Sequence, residues 1–214
     1  MISVHGRSTR GELALDIDLE IGAGVTFVVG PNGVGKSTLL RLIAGLEALD
    51  DGTVELDGRI VDAPADGRFV PAHQRPIAMA FQDHRLFPHL SVLDNVAFPA
   101  RRRGERARPA RAAARSHLDA VGLADLSRRR PAELSVGQRQ RAALARALAT
   151  PAEVLLLDEP LAAIDEAGRA FIRDRLHGAT HQTVVWVSHD QADIDPGAAR
   201  ISFDGTVVRK TLRS

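Results

Sequence analysis

"VTFVVGPNGVGKST", residues 25–38, decides the fold. An apolar strand signal runs into Gly30, the spacing Gly30-x-x-x-x-Gly35-Lys36-Ser37 follows, and an amphipathic helical pattern begins at once. Glycines let the backbone wrap a phosphate with its N–H groups, because side chains would block the approach. The cradle is expected to comprise Gly30, Pro31, Asn32, Gly33, Val34, Gly35, Lys36, Ser37 and Thr38. Lys36 is placed to reach the β- and γ-phosphates and Ser37 to offer its hydroxyl to Mg²⁺, while the helix start adds its dipole. A glycine turn that merely opens a helix is the bland alternative, and the strand before and helix after it weaken that reading.

Three further apolar runs have the same character: "IAMAFQ" (77–82), "VLLLDEP" (154–160) and "TVVWVSHD" (183–190). Continuous runs, rather than alternating ones, suit strands buried on both faces of a parallel sheet. Each ends in polar groups: Gln82, Asp158 with Glu159, and Ser188 with His189. Ligands of open α/β sheets bind at the carboxyl ends of the strands. Asp158 suits Mg²⁺ and Glu159 suits polarising a water; Gln82 suits either task. Phosphoryl transfer to water needs such a set, since its catalysis is mostly positioning and charge neutralisation.

The remainder sorts into two additions to this core. "ELALDIDLEI" (12–21) alternates strictly, as a half-buried strand does, and "TVELDGRIVD" (53–62) reads as a hairpin around Asp57-Gly58. An antiparallel sheet is expected in the N-terminal half, and a second hairpin in "ISFDGTVVRKTL" near the end. Helical patterns cover "KSTLLRLIAGLEAL" (36–49) and "AGRAFIRDRLHG" (167–178). Residues 84–150 carry few strand signals and read as an inserted, mostly helical subdomain, with Ser91 and Asp94 at capping-box spacing and a helix running to Gly122. Seven arginines fall between 101 and 115, which reads first as a solvated loop and helix face and second as a contact for anionic headgroups or an acidic partner.

Composition is that of a globular protein, with 44% hydrophobic and 26% charged residues and a net charge of +1, which disfavours a general nucleic-acid binder. Cysteine is absent, so disulfides and thiolate metal sites are excluded. No apolar run approaches a membrane span, and no signal-peptide pattern is visible at the start.

"LSVGQRQRAALARALA" (134–149) poses a separate question. Ser135 caps a helix there and Gln138 completes the capping box. Yet the stretch holds no Asp or Glu, and Arg139 and Arg141 follow instead, although a helix N-terminus favours negative charge. An anion from elsewhere is missing.

Taken in order, these motifs resemble the nucleotide-binding subunit of ATP-binding cassette (ABC) transporters: Walker A at 30–38, the Q-loop at Gln82, the signature at 134–138, Walker B at 154–158, then Glu159, the D-loop around Asp165 and the switch histidine His189. The resemblance runs from about residue 12 to 208. It implies an α/β fold with a P-loop NTPase core on a parallel sheet, an N-terminal antiparallel β subdomain and a helical subdomain at about 84–150, all one domain over 1–214 without a C-terminal regulatory domain. It implies ATP and Mg²⁺ as cofactors, with Glu159, His189, Gln82 and Lys36 in catalysis and Ser37, Gln82 and Asp158 at the metal. It also supplies the missing anion. Two subunits, expected to be identical, meet head to tail, and Ser135, Gly137 and Gln138 of one receive the nucleotide bound by the other. Membrane permease subunits, and indirectly a substrate-binding protein, are the other implied partners, with no nucleic acid, and the site of action is the cytoplasmic face of the cell membrane. The stretch around Gln82 looks like bacterial importers of oxyanions such as molybdate or sulfate, or of iron, with molybdate first. A soluble, non-transport ABC ATPase is the alternative, and a regulatory nucleotide-binding module or a phosphotransferase fits less well.

Two departures stand out. Val136 occupies a position where the usual signature has glycine. No tyrosine is present and the first phenylalanine is Phe27, so the usual adenine-stacking aromatic is missing; His5, Arg7 or Arg10 is expected to substitute, with loose purine selectivity.

Overall fold

The computed structural model describes residues 1–81, 85–161, 164, 169, 172, 176, 182–188, 194, 197–203 and, for the backbone alone, 207–211. The four apolar runs become β3 (Gly24–Val29), β7 (Ile77–Ala80), β8 (Val154–Asp158) and β9 (Thr183–Val187). They pair in parallel in the order β3-β9-β8-β7. β8 and β9 are buried at every residue, which is why their sequences do not alternate.

Period-two geometry divides their side chains between two cores. Leu155 and Leu157 join Trp186 and the helical subdomain on one face; Val154 and Leu156 join Val185, Val187 and the first helix on the other. That helix, α1 (Lys36–Ala44), buries Leu39, Leu40, Leu42 and Ile43 against the second core.

The antiparallel part consists of β1 (Ile2–Arg10), β2 (Leu13–Ile21), β4 (Asp51–Leu56), β5 (Arg59–Ala63) and the short β6 (Arg68–Phe69). β2 buries Leu15, Ile17, Leu19 and Ile21 on one face, as its alternation dictates. β10 (Ala199–Phe203) and β11 (Val207–Thr211) form the second antiparallel pair and join the two halves: β10 lies beside β3 and β11 beside β2. The result is one eleven-stranded sheet, order β6-β5-β4-β1-β2-β11-β10-β3-β9-β8-β7.

The insertion is helical as its sequence indicates, with α2 (Val92–Arg102), α3 (Ala107–Ala120) and α4 (Val136–Leu148). Ser91 caps α2 by accepting from the Asp94 N–H at 3.0 Å, and Asp94 is gripped by Arg111 of α3 at 2.7 and 3.1 Å. Asn95, fully buried, holds the approach to α2: its Oδ1 accepts from the Phe87 N–H at 2.8 Å, and its Nδ2 donates to carbonyls of Phe87, Leu90 and Ser91. The arginine-rich stretch is solvated apart from Ala110 and Ala114, which face the core.

One strand escapes the sequence reading and two helix boundaries shift. β1 carries no clean alternation in sequence, yet it is a nine-residue strand. Its Gly6 lies opposite Gly52 of β4 so closely that a Cβ on Gly6 would sit 2.1 Å from the Asp51 oxygen, so the pair must be glycine whatever the hydropathy pattern. The helix expected over 36–49 stops at Ala44, because Gly45 takes the left-handed conformation (φ +73) that closes a helix C-terminus. The helix read to Gly122 ends at Ala120. The helical pattern at 167–178 lies outside the described residues, apart from isolated positions.

Candidate nucleotide site

β3 delivers the glycine loop to the carboxyl edge of the sheet. Gly30 passes so near β10 that a Cβ there would meet the Phe203 oxygen at 2.6 Å. Gly33 (φ +82) and Gly35 (φ +101) take left-handed backbone, and a Cβ on Gly35 would strike the Leu15 side chain at 2.7 Å. Gly33, by contrast, faces open space. The loop is thus shut on its protein side and open on the other. α1 begins from it with Gly35 as N-cap, no side-chain cap and no acidic residue in the first turn, so the positive end of the helix points outward uncompensated.

Register brings the acids to the same edge. Val28 pairs with Val187 and Val187 pairs with Asp158, so the three lie in one row across β3, β9 and β8. At about 4.8 Å between strands, Asp158 stands about 10 Å from the strand that feeds the loop. Asp158 is 7% exposed, and burial pushes its carboxyl above the ordinary range, while the neighbouring Ser37 hydroxyl acts in the opposite direction. The Lys36 ammonium donates to the carbonyls of Gly30 (2.9 Å) and Pro31 (2.7 Å). Burial lowers its pKa, while Glu159 and Asp158 oppose that shift.

Glu159 adopts φ +50, uncommon for a residue with a side chain. Its N–H donates to the Val187 oxygen at 3.0 Å, and its own oxygen accepts from Gln140 Nε2 at 2.6 Å. Leu13, Asn32, Lys36, Ser37, Asp158 and Glu159 are among the residues around a cavity of about 430 Å³. Of the sequence-derived site residues, Gln82 and His189 lie outside the described residues, as does Asp165.

A second patch stands apart from that cavity, whose lining includes none of Ser135, Gly137 or Gln138. Here Ser135 Oγ accepts from the Gln138 N–H at 3.2 Å and Gln138 Oε1 accepts from the Ser135 N–H at 2.9 Å, the capping box at the start of α4. No acidic residue lies in the first turn, and Val136 is 62% exposed. The two arginines that follow are occupied locally: Arg139 donates to the Leu134 carbonyl at 2.6 Å and Arg141 to the Val121 carbonyl at the end of α3 at 3.0 Å. They serve the protein's own backbone, which narrows the phosphate-attracting role the sequence suggests for them.

A third feature is a groove of about 660 Å³ between β7 and the helical subdomain. Phe81, Phe87 and Phe98 line it, with Phe87 and Phe98 centroids 4.5 Å apart. Arg75, Arg85, Arg102, Arg103 and Arg146 line it too, and no Asp or Glu does among the described residues. Arg75 also reaches inward, donating to the carbonyls of Leu42 and Ile43 at 2.8 Å and of Val70 at 2.7 Å, and so closes the end of α1. Burial lowers its pKa to about 10, against the attraction of Asp62.

Residues 15–162 match the sequence profile of the family described as ABC transporter. The chain belongs to that family. Its fold is that of an ABC ATPase cassette: it superposes over its whole length on a dimeric ATP-binding cassette in a post-hydrolysis state bound to ADP and Pi, with a TM-score of 0.83 and 28% identity. A dimeric bacterial ABC transporter cassette matches with a TM-score of 0.81 and 29% identity, again over all of both chains. Among characterised relatives, the molybdenum import ATP-binding protein ModC of Mesorhizobium japonicum is 42% identical over 91% of this chain and 52% of its own length. The sulfate/thiosulfate import ATP-binding protein CysA of Nocardia farcinica is 45% identical over 94% of this chain and 61% of its own. The Fe(3+) ions import ATP-binding protein FbpC of Streptomyces coelicolor is 42% identical over 94% and 58%. The cassette therefore spans between half and two thirds of the length of these relatives.

Several residues of the ABC cassette carry geometry that its sequence does not announce. Leu13, the first residue of β2, borders the cavity that Lys36 and Asp158 line. Of the three proposed adenine substitutes, Arg10 is tied to the carbonyls of Thr9 and Ala48 and to Asp50, and His5 bonds Ser3 and Asp18. Arg7 lies 3.8 Å from Asp16. Gln140 and Arg75 act through main-chain atoms far away in sequence, and Asn95 through main-chain atoms four to eight residues before it; no local pattern marks them.

Proposed function

We propose that this chain is the ATP-hydrolysing motor subunit of a bacterial importer, working as a head-to-tail pair that encloses two ATP molecules. The observation that carries it is the glycine cradle and bare helix start of α1, which share a cavity with Asp158 at the carboxyl edge of the sheet. The cradle N–H groups of residues 33–38 bind the phosphates, and Lys36 leaves the loop carbonyls to meet the β- and γ-phosphates. The oxygen donors of Ser37 and Asp158 suit Mg²⁺, joined by Gln82 in the closed state; when bound, the ion supplies charge neutralisation at the phosphates.

Glu159 takes the proton of the attacking water and His189 contacts the γ-phosphate. Ser135, Gly137 and Gln138 of the second copy close over the same nucleotide, so the uncompensated start of α4 receives its anion in the pair. Both cassettes that superpose on this chain are dimers, which supports the pairing.

The groove beside β7 is the docking site for the permease, and its three phenylalanines and five arginines favour a docking segment that offers apolar and acidic side chains. No helix among the described residues is long and apolar enough to cross a membrane, in keeping with a peripheral subunit held by that permease at the cytoplasmic face. The cargo is an oxyanion, molybdate first, a reading supported by the relatives named for molybdenum and for sulfate/thiosulfate import. Base recognition without a stacking aromatic leaves GTP hydrolysed at a rate comparable to ATP.

Affinity purification of this chain from native membranes tests the assignment. Recovery of a permease and an oxyanion-binding protein is expected; recovery of ribosomes or DNA-processing enzymes alone overturns it.

A further inference from the structure

One hydrogen bond joins the two patches that the proposed pair assigns to different nucleotides. Gln140 of α4 donates through Nε2 to the main-chain oxygen of Glu159 at 2.6 Å. On the other side, the Glu159 N–H donates to the Val187 oxygen at 3.0 Å. Between these two bonds Glu159 holds φ +50. A side-chain-bearing residue stays in that sparsely populated region only where its surroundings hold it there. The direction of its carboxylate therefore depends on both bonds, and one of them comes from α4.

On α4, Gln140 follows Val136 by four residues and Gly137 by three, so all three share one face, a single turn apart. A helix moves as a unit, and what shifts its first turn shifts Gln140. We infer that Gln140 is a positioning residue that makes the hydrolytic geometry at Glu159 answer to what binds at the start of α4. The inference rests on the proposed pairing: there the α4 start meets the partner's nucleotide while Glu159 serves the chain's own. Gln140 then links the two nucleotides through a single chain, and each half of the pair senses the other.

The experiment compares steady-state ATP hydrolysis, equilibrium ATP binding and thermal unfolding for the wild type, Gln140→Leu and Gln140→Glu. Leucine removes the donor and keeps the bulk. Glutamate keeps the shape and sets a carboxylate against the carbonyl, and it carries the test should the leucine variant unfold. Expected are a kcat lower by about tenfold, ATP affinity within about twofold of wild type, and a Hill coefficient falling to about 1 from a wild-type value above it. A purely structural bond would leave the Hill coefficient alone. Wild-type kcat in both variants overturns the inference, as does a reduced kcat with cooperativity intact. A wild-type chain that hydrolyses no ATP overturns the functional reading first and this inference with it.

Discussion

The hydroxyl of Ser37, in the first turn of α1, favours the ionised form of the Asp158 carboxylate at the end of β8. Two elements more than a hundred residues apart in sequence thereby present their oxygens to one place. The hydroxyl offsets part of the cost of a buried carboxylate at the sheet edge, but burial outweighs it and sets how the site responds to pH.

Asp158 titrates above its ordinary value because burial penalises its charge. A carboxyl with a raised folded-state pKa stabilises the fold fully below its unfolded value, and that contribution is lost as pH rises through the folded value. Binding of Mg²⁺ with nucleotide needs the ionised form. Affinity for Mg²⁺–ATP is therefore expected to fall as pH drops through the acid range, starting at higher pH than an ordinary aspartate would give, and Asp158→Asn is expected to flatten that slope. Trp186, the single tryptophan, sits beside Leu157 in the sheet and gives a fluorescence readout.

Lys36→Met removes the one ammonium at the cradle. Charge-assisted hydrogen bonds are worth about 1.5–3 kcal/mol each, so ATP affinity is expected to drop by about tenfold or more, measured by calorimetry. The loop itself remains, since its glycine conformations are set by Phe203 and Leu15.

Glu159→Gln keeps the shape and the main-chain bonds to Gln140 and Val187 while removing the carboxylate proposed as the base. Hydrolysis is expected to slow by about a hundredfold or more with ATP affinity preserved. Phosphate release and nucleotide binding, measured on one preparation, check both halves.

Arg75 stabilises rather than reacts. Its guanidinium reaches the carbonyls that end α1 and lies near Asp62, which is itself 1% exposed. Arg75→Met leaves those carbonyls and Asp62 buried without it, and a loss of about 3 kcal/mol or more is expected in denaturant unfolding. Adding Asp62→Asn is expected to return part of that loss.

The chemistry-bearing edge is legible in the sequence because each part is a local pattern: the glycine spacing after a strand, Asp158 closing an apolar run, Ser135 and Gln138 three apart. β2 is legible from its alternation, and the β4–β5 hairpin from Asp57-Gly58. What is hidden depends on partners distant in sequence. β1 is paired on both sides and requires Gly6 because the backbone at Asp51 and Gly52 of β4 lies against it. α1 stops at Gly45, where a Cβ would lie 2.4 Å from Arg75 Nε, a contact that no helical periodicity reveals. Gln140 looks like any polar helix residue until its amide is seen to reach the Glu159 main-chain oxygen.

Sedimentation of the Glu159→Gln variant with and without ATP addresses the central claim most directly, since it asks whether nucleotide joins two copies. A monomer without ATP and a dimer with it are expected, the dimer being lost when Ser135→Arg is added. A monomer at saturating ATP, from a chain whose wild type still hydrolyses ATP at a rate strictly proportional to its concentration, would contradict the account.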